Sequence, residues 1–208
     1  MNSKSATSVI HFDAFPKYPT QNKLSARQVI KKDMRQFGYP ARILFPKPPT
    51  HLTGLTLDEV LVKAEKQAEL ARDTVGRKLR KDGLILLRGY VTYPTPIKKL
   101  TQTDPNFRPW VKLTHSFLRK QFNKQFVSSF AALDEDFYTI RFYVLPTLDD
   151  QNHLDITSIH PALRARQLVS NISKAKKEEA YNVAMRQFQE NYYQEVSRKI
   201  GCHRPEVE

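Results

Sequence analysis

Residues 38–54, GYPARILFPKPPTHLTG, set prolines at positions 40, 46, 48 and 49 among apolar and basic side chains, with no acid. Proline fixes φ, removes a backbone donor and turns the preceding residue away from α geometry. The stretch therefore excludes a helix and interrupts any central strand. Its Tyr39, Ile43, Leu44 and Phe45 need burial, while Arg42 and Lys47 call for an anion. Such a segment follows an extended path along another surface, and its prolines reduce the entropy lost in holding that path.

The flanking sequence reads as helices joined by irregular stretches. Residues 1–24 look like an irregular arm punctuated by Pro16 and Pro19. Ser25 suits the N-cap of a short helix, ARQVIKKDMRQF, with Gly38 at its C′ position. Thr56 and Glu59 form a capping box. Behind it, Leu57, Leu61, Ala64, Ala68, Ala71, Val75 and Leu79 lie on one helical stripe, with Glu59–Lys63 and Asp73–Arg77 as i,i+4 pairs and Gly83 as the stop. The alanine content of the stripe calls for a closely packed neighbour.

Residues 83–94 (GLILLRGYVTYP) and 136–146 (DFYTIRFYVLP) are β-rich and able to pair, and Gly89 marks a bulge. Between them 108–133 reads as one helix, because Leu118, Phe122, Phe126 and Phe130 recur every four residues. Residues 147–160 form a loop, Pro161 opens a helical region that breaks near Ser170 to Ser173, and a last helix covers 174–200 up to Gly201. The expected fold is α+β and mainly helical. It has a small core of three to four helices with a two-stranded sheet, plus the extended N-terminal arm and the Pro-rich segment. The expected division is 1–54 as a basic Pro/aromatic arm with one short helix, 55–146 as a helix-strand-helix-strand body, and 147–208 as a loop and C-terminal helices.

The net charge of +13 is uneven: 1–54 carries +7, 55–133 carries +8 and 134–208 carries −2. An anionic partner for the first two thirds follows. The apolar runs are too short to span a bilayer, and the lone Cys202 forms no internal disulfide. The serine-rich start, with one Lys and one Asp in fifteen residues, is a weak match to a transit peptide and has no secretory apolar region.

No catalytic pattern emerges. The six histidines lack zinc spacing, and His153, Asp155 and His160 in HLDITSIH fit no recognised ligand set. Asp134-Glu135-Asp136 could hold a hard cation but reads first as a polar loop. There is no Gly-rich phosphate loop and no nucleophile elbow, and Cys202-His203 makes no dyad. The expectation is a non-enzyme, with no catalytic or metal residues and no cofactor.

Basic clusters are plentiful: Arg27, Lys31, Lys32 and Arg35; Arg77, Lys78, Arg80 and Lys81; Lys98 and Lys99; Arg119, Lys120 and Lys124. With Arg42 and Lys47 they would neutralise phosphates, and Tyr39 and Phe45 could stack on unpaired bases. On the last helix Tyr181, Met185, Phe188, Tyr192 and Val196 form a stripe suited to a protein neighbour. No RNP1, KH or zinc-finger signature accompanies them. Extended basic arms, a modest body and a near-neutral helical tail resemble the accessory proteins of mitochondrial ribosomes. The resemblance implies a structural constituent of a ribonucleoprotein in the mitochondrial matrix, binding rRNA and neighbouring proteins during translation. An accessory subunit of a mitochondrial membrane complex, or a viral nucleocapsid or matrix protein, is the alternative.

Overall fold

The computed structural model describes residues 7–41, 43–169, 171 and 173–204. Five antiparallel strands, β1 (Ile10–Pro16), β2 (Thr50–Gly54), β3 (Leu84–Pro96), β4 (Phe126–Ala132) and β5 (Phe137–Val144), make one sheet in the order β1-β3-β5-β4-β2. The helices are α1 (Ala26–Asp33), α2 (Leu57–Leu70), α3 (Phe107–Phe122), α4 (Pro161–Leu168) and α5 (Lys174–Tyr192). The mainly helical, two-stranded expectation is thereby corrected to a five-stranded α+β fold.

Three strands lie where none was expected, for three reasons. In the supposed arm, Ile10, Phe12 and Ala14 alternate inward, and β1 pairs with β3 from Ile10↔Val91 to Ala14↔Leu87. A period of two over a few residues was hidden between serines and prolines. The supposed helix over 108–133 ends at Asn123, whose φ is 47°. The four-residue phenylalanine rhythm continues past that break, but Phe126 and Phe130 belong to β4. β2 follows the last proline and pairs only with β4, so it is an edge strand, where prolines nearby do no harm.

Both helix starts operate as read, at Ser25 and at Thr56. Ser25 and Gln28 make a capping box on α1, as Thr56 and Glu59 do on α2. α2 is shorter than its stripe, because Ala71 is extended (ψ 138°). The Asp73–Arg77 pair, 2.7 Å, closes a loop instead of bracing a helix. After α5 the chain continues through a π-turn, Tyr193–Ser197, and a 3₁₀ turn, and stops at left-handed Gly201. Gly89 sits in regular pairing between Phe12 and Phe142, without a bulge. A Cβ there would lie 2.2 Å from the Phe142 ring, so the glycine makes room for that ring.

The sheet has a closed face and an open face. On the closed face Ile10, Phe12, Leu87, Val91, Ile140 and Phe142 pack against Phe117 and Phe122 of α3 and Phe188 and Tyr192 of α5. On the other, Leu86, Phe130 and Tyr143 meet Val29 and Ile30 of α1 and Val60, Leu61 and Ala64 of α2. α1 and α2 are too short to cover the second face fully. Its uncovered part is the feature that matters for function.

Candidate functional site

The side chains of alternate strand residues share a face. Arg88, Tyr90 and Thr92 of β3 therefore stand beside Thr139 and Arg141 of β5 on the open face, lining a cleft of about 540 Å³. The C-terminal end of α1 adds Lys32, Asp33 and Arg35, and the β4–β5 turn adds Glu135 and Asp136. Pro40 brings the proline-rich segment to the rim, and the Lys47 amide donates to Asp134 Oδ2 at 3.0 Å. Farther along the same segment Ile43 is buried and Phe45 is 81% exposed.

The floor is an arginine–carboxylate network. Arg88 donates twice to Asp33, Nε to Oδ2 at 2.8 Å and Nη2 to Oδ1 at 2.7 Å. Arg141 donates to Asp33 Oδ1, and Tyr143 Oη donates to Oδ2 at 2.8 Å. Arg35 forks onto Asp134 at 2.8 and 2.7 Å, and its Nη2 reaches Glu135 Oε1 at 2.9 Å. Arg141 Nη2 donates to the same Glu135 oxygen. Two guanidinium atoms, Arg35 Nη1 and Arg141 Nε, are buried without a hydrogen-bond partner. Arg35 also has φ 63°, a left-handed backbone rare outside glycine. Unpaired buried donors and a sparse backbone conformation in one place are features that concentrate at functional sites.

The electrostatics keep the two aspartates of the network charged. Burial would raise the Asp33 carboxyl, but the charges of Arg88 and Arg141 and the bonds from Arg88 and Tyr143 outweigh it and keep the pKa below the usual value. The Asp134 carboxyl is likewise lowered, burial being overcome by Arg35 and the Lys47 amide. Burial, then the Asp33 charge, push the Tyr143 phenol well up, so it remains a donor.

The residues nominated from sequence are scattered over the molecule. Lys32 lines the cleft with Lys31 beside it on α1, while Arg35 is consumed in the network. Tyr39 and Phe45 are exposed on the proline-rich segment, and Arg42 lies outside the described residues. Arg27 pairs with Glu65 at 2.6 Å. Arg77 and Arg80 pair with Asp73 and Asp82 in the loop before β3, which also carries Lys78 and Lys81. Lys98 and Lys99 form a 3₁₀ turn after β3. Arg119 and Lys120 end α3, where Lys120 pairs with Glu195 at 2.9 Å, and Lys124 follows in the next turn. Phe188, Tyr192 and Val196 fill the chain's own core, Met185 packs against it, and the Tyr181 ring stacks on Arg166 at 4.6 Å. His153 pairs with Asp149 at 2.9 Å, whereas His160 caps α4, so HLDITSIH forms no joint cluster.

Asp33, Arg88 and Arg141 escaped sequence reading. A signal existed: Arg88 and Arg141 are lone charges inside apolar strands, LILLRGYV and YTIRFYV, and a charge buried in a sheet requires a partner.

No protein-family model matches the chain, and no curated protein matches it by sequence. In structure it is similar to the MobM relaxase domain (MOBV; Mob_Pre) bound to 22-nucleotide oriT DNA of plasmid pMV158 and to manganese. The TM-score is 0.51 at 12% identity, over 79% of this chain and 82% of that one. A manganese-bound structure of the same domain with 23-nucleotide oriT DNA gives 0.50 at 11% identity, over 97% and 93% of the two chains.

This likeness overturns the ribosomal resemblance and what followed from it. The shared fold belongs to plasmid relaxase domains solved with DNA, not to a mitochondrial rRNA-bound structural protein, a membrane-complex subunit or a viral nucleocapsid. The mitochondrial address and the ribosomal partners fall with it, and so does the expectation of a non-enzyme, since a relaxase is an enzyme. Among the described residues no helix is long and apolar enough to cross a membrane. The chain has the fold of a relaxase domain.

Proposed function

We propose that the chain is a DNA-strand-processing protein of the relaxase kind, taking a single strand along the open face of its sheet. The observation that carries this reading is the position of the cleft. In a relaxase fold whose other sheet face is filled by α3 and α5, the uncovered strands beside α1 form a charged channel. Lys32 and the edge of Arg88 offer cations to phosphates, and Tyr39 and Phe45 offer ring faces to unpaired bases.

Strand nicking belongs to the same proposal. A hydroxyl oxygen attacks the phosphorus, a new P–O ester bond forms, the original P–O bond breaks, and the proton ends on the departing sugar oxygen. Tyr90 and Thr92 present hydroxyls along the cleft beside Arg88, whose charge faces the phosphate as negative charge builds on it.

The manganese of the solved neighbours does not fit these residues. Among the described residues no group of three or more His, Cys, Asp or Glu side chains is placed to hold a metal. Both oxygens of Asp33 are taken by Arg88, Arg141 and Tyr143. A dication about 4 Å from one guanidinium would be repelled by about 8 kcal/mol at an effective dielectric constant near 20. Phosphate binding is therefore assigned to the chain's own cations.

Fluorescence anisotropy with a labelled 22-nucleotide strand, across a salt series, tests binding. A negative log–log slope and preference for single-stranded over duplex DNA are expected; no binding at low salt contradicts the reading. Denaturing gels of the same mixtures reveal nicked strands or a covalent protein–DNA adduct.

A further inference from the structure

Glu135 stands at an unusual junction. One of its oxygens, Oε1, accepts from both Arg35 Nη2 and Arg141 Nη2, and these are the two arginines of the network that carry an unpaired buried donor. Their side chains are 4% and 8% exposed, so neither can turn to water for a replacement acceptor. Asp33 and Asp134 are each gripped by a two-pronged arginine fork, whereas Glu135 is held through a single oxygen and lies on the cleft wall. It is the carboxylate of the network held by the fewest bonds.

We propose that Glu135 is an internal stand-in for a DNA phosphate, occupying the anion seat of Arg35 and Arg141 until a strand displaces it. This rests on the DNA reading above for the identity of the ligand. A phosphate exchanges for the carboxylate with little change in buried charge. Its several oxygens can serve the orphaned N–H groups that one carboxylate oxygen leaves unpaired, and guanidinium forks match phosphate geometry. The unbound protein therefore keeps its buried arginines neutralised, and the strand must compete for them.

The test compares Glu135→Gln with Asp136→Asn, which removes the same charge from the same cleft at an exposed residue without freeing an arginine. Anisotropy with the 22-nucleotide strand, in EDTA, should show Glu135→Gln tightened about 10-fold or more, as befits a released charged hydrogen bond. Asp136→Asn should change affinity no more than about fivefold. In parallel, thermal melts with and without inorganic phosphate should show phosphate stabilising Glu135→Gln more than wild type. Equal gains by the two variants together with equal phosphate shifts overturn the proposal. If no protein binds the strand but phosphate selectively stabilises Glu135→Gln, the seat stands and the DNA reading fails instead.

Discussion

Two buried polar clusters lie on opposite faces of the same sheet, and they are built on different principles. On the closed face Trp110 Nε1 donates to Ser8 Oγ and Tyr192 Oη, both at 3.1 Å, Thr114 Oγ1 lies 3.0 Å from that phenol, and Ser197 Oγ donates to the Ser8 carbonyl at 2.9 Å. Every member is neutral, and none of these side chains has a buried atom left unpaired. On the open face Asp33, Asp134, Glu135, Arg35, Arg88 and Arg141 are joined by salt bridges, and two N–H groups have no partner. A neutral, satisfied network fixes a core; a charged and incompletely satisfied one stores affinity for something still to arrive. The fold carries the first as structure and the second as a site.

The largest expected effect strikes the charged cluster. Asp33→Asn leaves Arg88 buried without its counter-charge, takes from Arg141 one of its two carboxylate partners, and should cost about 3–5 kcal/mol in urea unfolding. A cost below about 1 kcal/mol would mean that the cluster is more solvated than its geometry indicates.

The closed face excludes charge, and His160 measures how strictly. It is 1% exposed, its ring packs edge-on against Phe12, and burial pushes its pKa down to about 4. The unfolded chain takes up a proton below about 6.5 that the folded chain refuses until about pH 4. Stability should therefore fall as pH drops through that interval, by about 3 kcal/mol in all. His160→Asn, which keeps an acceptor at the N-cap of α4, should flatten that part of the melting-temperature profile; an unchanged slope would reassign the titration to another group.

Smaller changes separate stability from binding. Phe45→Ala should leave melting within about 0.5 kcal/mol of wild type yet weaken strand binding by about 1–3 kcal/mol, the range for one base–ring stack. Tyr192→Phe should do the reverse: it costs about 1–2 kcal/mol of stability by leaving Trp110 and Thr114 short of a partner and leaves strand affinity unchanged. If both variants altered binding equally, the division between the faces would not hold.

Legibility in the sequence follows the range of the interactions. The N-cap at Ser25, the capping box at Thr56, the stripe of α5, the stop at Gly201 and the β character of β3 and β5 are local, and each could be read directly. β1, β2 and β4 depend on partners elsewhere: short alternation around Phe12 means little until β3 lies beside it, and the rhythm through Phe126 gives no sign of the turn at Asn123. The site was the least visible. Lys32, Arg35, Tyr39 and Phe45 were picked out as cations and rings, but Asp33 lies 55 residues from Arg88 and 108 from Arg141. No local pattern links the three. Only the antiparallel register of β3 and β5 brings the two arginines under the end of α1.

Hydrogen–deuterium exchange with and without a saturating 22-nucleotide strand tests the central claim most directly. The account predicts slowed exchange in 31–35, in 39–47 along the rim and in 88–92 of β3, with α3 and α5 unchanged. Protection confined to α3 and α5, or none on the open face at saturation, would contradict it.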